Sequence, residues 1–160
     1  VEHSGESGPL AKLSYAGWSR SIARNLDTAF LLTKACLPLL RSSGAGRIVM
    51  VASVTGPVMA MRRDAAYAAT KAALVGLTRS IALDEAERGV TCNAVAPGWI
   101  ATGSQTQHEA TQGLCTPMGR SAVPEEVGSV IAWLSTPGAS YITGQCIVVD
   151  GGNSIAEERG

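Results

Sequence analysis

Three apolar runs without alternation punctuate the chain: Ile48–Ala52 following Arg47, Val90–Ala96, and Cys146–Val149. Such runs predict strands covered on both faces. The stretches between them carry a helical period. Over residues 10–41, Trp18, Ile22, Leu26, Ala29, Phe30, Thr33, Leu37 and Leu40 recur at steps of three and four. This predicts an amphipathic helix with Ser14 as its cap and Pro38 bending or weakening its last part. Ser42–Gly46 reads as a turn into the first strand. An alanine-rich segment over 65–88 predicts a second helix, with Asp64 as N-cap and Gly89 as the C′ residue. Pro124 fits the first position of a third helix, with Glu125 and Glu126 in its first turn and Val127, Val130, Ile131 and Leu134 inward. Residues 103–119 are polar and aperiodic and are expected to form one long loop. Helix and strand therefore alternate, which predicts an α/β domain: a parallel sheet with right-handed crossovers, one part of a doubly wound fold.

Composition narrows the class of function. The 160 residues suffice for one domain with a core, spanning 1–160, and not for two. Net charge is zero with 16% charged residues, which gives no electrostatic case for nucleic acid or an anionic membrane. No apolar run approaches the roughly 18–20 residues of a membrane span, and the polar start, VEHSGESGP, has no signal-peptide core. The four cysteines, Cys36, Cys92, Cys115 and Cys146, lack C-x-x-C spacing, and three lie in apolar segments. Buried thiols in a reducing cytoplasm are the expectation. His3 and His108 are isolated, so no metal site is expected. The chain opens on Val, and its first nine residues read as a connection, so an internal piece of a longer protein is expected.

The candidate chemistry lies between Ser53 and Lys71. Tyr67 and Lys71 fall four apart, one turn along one helical face. An ammonium beside a phenol favours the phenolate and lowers the tyrosine pKa. Ser53 closes the first strand at its carboxyl end, where open α/β sheets bind ligands, and its hydroxyl suits a carbonyl oxygen. A Tyr-x-x-x-Lys pair by itself is commonly just a solvated helix face. The preceding serine gives it weight. Asn25 lies among apolar helix positions; its amide either bonds a nearby backbone carbonyl or disturbs the helix and holds a water.

Together, Ser53, Tyr67-Ala-Ala-Thr-Lys71, Asn93-Ala-Val-Ala-Pro-Gly98 with Ile100 and Thr102, and Ile142–Gly152 resemble the short-chain dehydrogenase/reductase family. The likeness is to the branch with 3-oxoacyl-carrier-protein reductases and alcohol, sugar and steroid dehydrogenases, and runs from about Leu10 to Gly152. It implies the C-terminal part of a Rossmann-type domain using NAD or NADP, with a small carbonyl or alcohol as substrate. It also implies Tyr67 as acid/base, Lys71 on the nicotinamide ribose and lowering the tyrosine pKa, Ser53 on the substrate carbonyl, and Asn25 in a proton relay. Ile100 and Thr102, after Pro97 and Gly98, are implied near the nicotinamide carboxamide and pyrophosphate. Residues 103–119 are implied to cover the substrate. Assembly as a homodimer or homotetramer, through two long helices and the last strand, is implied too.

The family's glycine-rich turn has no counterpart here, since Gly44-Ala-Gly46 precedes a strand instead of following one. A non-catalytic association partner is therefore a second reading, and an epimerase or dehydratase of the same family a third. The Pro-Gly-x-Ile-x-Thr and Asp-Gly-Gly elements favour simple dehydrogenases over the third. A dinucleotide rests largely on backbone amides of such a turn. These 160 residues alone are accordingly expected to bind neither NAD nor NADP tightly, which calorimetric titration checks; micromolar binding by a monomer overturns the expectation.

Overall fold

The computed structural model describes residues 6–157. His3, with the rest of 1–5, and the tail end 158–160 lie outside the described residues. Helix α1 (Tyr15–Ile22) passes through a π-helical turn, Ala23–Asp27, into α2 (Thr28–Ser42). There follow β1 (Arg47–Val51), α3 (Ala65–Glu85), β2 (Thr91–Pro97), α4 (Gln107–Leu114), α5 (Pro124–Leu134) and β3 (Cys146–Val149). The strands form one parallel sheet in the order β1-β2-β3, with Arg47 opposite Thr91 and Ala94 opposite Cys146. The expected α/β architecture is present.

Alternation along the strands feeds two cores. Ile48, Met50, Cys92 and Ala94 face α3 and α2, packing with Leu74, Val75, Leu26, Leu37 and Leu40. Val49, Val95 and Ile147 face α5, where Val127, Val130, Ile131 and Leu134 meet them as the period predicts. Both faces are covered, which explains why the strands read as unbroken apolar runs. Helix α3 buries Ala66, Thr70, Leu74, Thr78 and Ala82, a stripe at four-residue spacing. Its threonines donate to Tyr67 and Leu74 carbonyls, so the stripe is small, buried and satisfied. Buried Asn93 joins β2 to the approach to β3, donating to the Ile142 carbonyl (2.8 Å) and accepting from the Gln145 amide (3.1 Å).

Several expectations need correction. The first helix begins at Tyr15, not residue 10; Leu10–Lys12 is a separate 3-10 turn. Ser14 does cap it, accepting from the Gly17 amide at 3.0 Å. The helix runs on through Pro38. Phe30, expected inward, is 46% exposed and lies near the Lys34 ammonium. Asp64 stands at the N-cap of α3, but its side chain makes no capping bond. Gly89 adopts the left-handed conformation (φ 72°) after a closing 3-10 turn, as a C′ glycine should. Gly46 lies against Leu40 and Val90 where a Cβ would clash, so Gly44-Ala-Gly46 is a packing turn. The largest correction is α4, which occupies the middle of the expected 103–119 loop. A capping box creates it: the Glu109 amide donates to Thr106 Oγ1 while the Glu109 carboxylate accepts from the Thr106 amide. The short helix is stabilised by its ends more than by apolar periodicity.

Helix α5 also has its N-terminus fixed by an acid. Glu126 takes two bonds of 2.7 Å from the Arg120 guanidinium and one from the Val123 amide. The Arg120 bonds, then the Val123 bond, pull the Glu126 carboxyl down to about 2 from an ordinary 4.5. A depressed folded pKa stabilises the fold fully above pH 4.5, and that contribution is lost as the pH falls toward 2. The thermal midpoint of wild type should therefore exceed that of Glu126→Gln at pH 6, and the gap should narrow below pH 4.5 and close only once the pH has fallen through about 2. Thermal melts across that range check it.

Candidate active site

The carboxyl ends of β1 and β2 open on a cavity of about 1180 Å³. Its floor is set by backbone bonds that extend the parallel ladder beyond β1: Ala52 N–H to Val95 O (2.8 Å) and Val54 N–H to Pro97 O (3.0 Å). Ser53 is thereby held between two fixed residues. Its Oγ accepts from the Thr55 amide at 3.1 Å, leaving the hydroxyl proton for another partner. Tyr67 lies near enough that, against the larger rise from burial, Ser53 acts to lower the phenol pKa. Tyr67 follows Ala66 of the buried stripe by one residue, which puts it at the half-buried edge of α3 where the helix overlooks the strand end. Asn25 lines the same cavity from the π-helical turn, and its amide donates to the Ser21 carbonyl at 3.1 Å. Both readings of Asn25 hold in part: the amide is satisfied by a backbone carbonyl, and the helix is disturbed at that residue. Single π-turns inside helices are frequent at functional sites.

Ser53, Tyr67, Asn25, Gly98, Ile100 and Thr102 all line the cavity; Lys71 and Pro97 do not. Lys71 lies with its ammonium 5.4 Å from the Tyr67 ring centroid and donates to the Val51 carbonyl at 3.0 Å. Even-numbered residues of β1 bond to β2, as Ala52 and Gly46 show, so Val51 directs its carbonyl to the opposite side of β1. Among the described residues no strand pairs on that side. Burial pushes the Lys71 pKa down. The expected depression of the tyrosine by Lys71 is not what this arrangement gives. Burial raises Tyr67 above 10.0, Ser53 opposes it, and the Asp64 and Glu109 carboxylates add to the rise. The ammonium is engaged with Val51 over the ring face, which removes it from the phenol oxygen.

Pro97 and Gly98 support the site from beneath. Gly98 donates to the Val149 carbonyl at 2.9 Å, and a Cβ on it would lie 2.7 Å from that of Asp150. Only glycine lets the ends of β2 and β3 approach so closely. Beyond it, Ile100 pairs with Ala122 as an isolated bridge. Its own N–H makes no hydrogen bond among those of the described residues. The Thr102 hydroxyl shares a 3.1 Å bond with Ser104. A cavity of this size at a sheet end, with a free amide and a hydroxyl, fits the nicotinamide end of a dinucleotide.

The comparisons decide the family. Residues 2–154 match the model described as enoyl-(acyl carrier protein) reductase. A 3-oxoacyl-[acyl-carrier-protein] reductase of Synechocystis is 43% identical over 145 residues, covering 89% of this chain and 58% of that protein. The chain belongs to the short-chain dehydrogenase/reductase family. A tropinone reductase homolog of Arabidopsis thaliana is 38% identical over 97% of this chain and 62% of its own length. Acetoin dehydrogenase from Salmonella typhimurium superposes with a TM-score of 0.85 and 34% identity, over 94% of this chain and 61% of that one. The chain thus spans about 60% of the length of these short-chain dehydrogenase/reductase relatives. Among the described residues no helix is long and apolar enough to cross a membrane.

Trp99, the Met59–Arg62 segment and Glu6 also line the cavity without an assigned role in the sequence, while His108, Glu109 and Gln112 of α4 belong to the 103–119 stretch implied to cover the substrate. The Thr-x-x-Glu capping box was the available signal for α4. Nothing local signals Glu6, which reaches Arg24 at 3.1 Å, or Arg63, a non-glycine residue at φ 67° whose carbonyl accepts the Gly8 amide. Burial of Lys71 yields a direct check. In reductively methylated protein, the Lys71 resonance, assigned with Lys71→Arg, should titrate below 10.5. A midpoint at or above that value would contradict the placement.

Proposed function

We propose that this chain carries the proton-transfer half of a nicotinamide-dependent oxidoreductase that interconverts a secondary alcohol and a ketone. The observation that carries the reading is that Ser53 and Tyr67, both half-buried, line one cavity at the carboxyl end of β1. A ketone oxygen placed there accepts from both hydroxyls. Tyr67, kept protonated by its burial, is suited to give its proton to that oxygen as negative charge develops. Ser53 is held by the Thr55 amide and orients the carbonyl without changing charge. Asn25 stands on the adjacent wall, where it suits proton return to Tyr67 from solvent. Hydride chemistry is what NAD or NADP supplies when bound. Ile100 and Thr102 would hold its nicotinamide end; Lys71 would take the ribose once its ammonium leaves Val51. Family membership supports the redox class, and the site geometry supports the acid/base role.

Self-association belongs to the same proposal. Leu31, Leu32 and Leu39 of α2 and Leu83 of α3 stand exposed, the last at 81%, which suits burial against another copy in a homodimer or homotetramer. The reading in which the chain acts only as an association partner rests on those side chains and on the free side of β1.

In a complete enzyme that contains this chain, with ketone reduction followed through consumption of reduced nicotinamide, Tyr67→Phe should lower turnover about 10²–10⁴-fold, while affinity for the dinucleotide, measured by fluorescence titration, is retained. Near-normal turnover in that variant would remove Tyr67 from the chemistry.

A further inference from the structure

The chain has four methionines, and their surroundings differ. Met50 is sealed in the core at 5% exposure, whereas Met61 and Met118 stand 43% and 64% exposed. Met59 is half-buried, lines the cavity, and has a polar partner on its sulfur: Asn153 Nδ2 donates to Met59 Sδ at 3.7 Å. Both sides of this contact are held by turns. The Met59 amide donates to the Val54 carbonyl, and the Met59 carbonyl accepts from the Gly56 amide, both at 2.8 Å. Gly56, at φ 105°, lies against the Ala68 carbonyl where a Cβ would clash, so the loop is pressed onto α3. On the other side, the Asp150 carboxylate accepts from the Gly152 and Ser154 amides at 3.0 and 2.7 Å. That fixes the turn carrying Asn153, which is buried.

A thioether sulfur has two lone pairs, and oxygen added to one or the other gives opposite sulfoxide epimers. The Asn153 amide stands on one lone pair of Met59, and the other is left to the cavity. A hydroperoxide entering that space of about 1180 Å³ therefore meets the sulfur from one side. We infer that Met59 is a stereoselective oxidation site for hydroperoxides, with Asn153 as the group that selects the epimer. The sulfur lone pair attacks the terminal peroxide oxygen. An S–O bond forms as the O–O bond breaks, and sulfur loses two electrons. The proton of the attacked oxygen passes to the departing alkoxide or hydroxide, which leaves as alcohol or water. The new oxygen faces the cavity, where Val54, Met61, Trp99 and Ile100 are the apolar neighbours along the wall. Oxidation thus puts a strong acceptor into an apolar surface, and a product of one epimer is reversed by a single class of sulfoxide reductase. None of this depends on the role of Tyr67.

The test treats the 160-residue chain with dilute hydrogen peroxide and no dinucleotide, and locates each oxidised methionine by fragment-ion mass spectrometry. Epimers are counted by exposing the peptides to methionine sulfoxide reductases of opposite epimer specificity. Expected at Met59 is an excess of one epimer of about fivefold or more, since the other approach must first break a hydrogen bond. Met61 and Met118 should give both epimers equally, and Met50 should stay reduced, which certifies the fold in each sample. Asn153→Leu keeps the side-chain volume and should bring the Met59 epimers to equality. If Met50 oxidises in that variant, Asn153→Ala supplies the reading. Equal epimers at Met59 in wild type, an excess that survives loss of the Asn153 amide, or a Met59 as resistant to peroxide as Met50 overturns the inference.

Discussion

The close approach of α3 to the sheet is the constraint on which the rest depends. Small side chains make up most of the buried stripe on the helix and its β2 counterpart, Ala66, Thr70, Thr78 and Ala82 against Cys92 and Ala94, with Leu74 as the one large member. A larger residue in either row would lift the helix and with it every side chain at its edge. Tyr67 and Lys71 each follow a stripe residue by one position, so the depth of the stripe determines how far both stand above β1. Burial has its chemical consequence there too. It raises the phenol of Tyr67, lowers the ammonium of Lys71, and pushes the Cys92 thiol up to about 11, leaving Cys92 a packing group.

The site is assembled from pieces far apart in the chain, each tied down by backbone bonds. Ser53 sits between two ladder bonds to β2, Tyr67 on the rigid helix, Asn25 at the π-turn, and Ile100 and Thr102 on the segment leaving Gly98. Ends of elements supply nearly all of it, as expected of an open α/β sheet. The ion pair of Arg41 with buried Glu85 closes the opposite end of the α2–α3 pair, with Glu85 held below its ordinary pKa by that hydrogen bond. Chemistry and structural polarity are thus kept at opposite ends of the same helices.

Lys71 is held by the edge of the sheet and not by the cavity. Its ammonium occupies the Val51 carbonyl, a ladder group on the side of β1 where no described strand pairs. A strand placed there would compete for that carbonyl.

Sequence alone determined the alternation of helix and strand and the two-faced sheet, and the family resemblance pointed to Ser53, Tyr67, Asn25, Ile100 and Thr102, which line one cavity. These are local facts: unbroken apolar runs report burial on both faces, four-residue spacing reports a helical face, and motif order reports the family. Three things were decided only by tertiary structure. The docking of helix α4 depends on Gly113 fitting against Ser121, although its start is a local capping box between Thr106 and Glu109. Phe30 keeps the period and is still exposed, because periodicity defines a face but not what covers it. The direction of Lys71 and the pKa of Tyr67 depend on which carbonyls and carboxylates stand within reach. Those distances arise from packing between residues far apart in the chain, and no spacing within it encodes them.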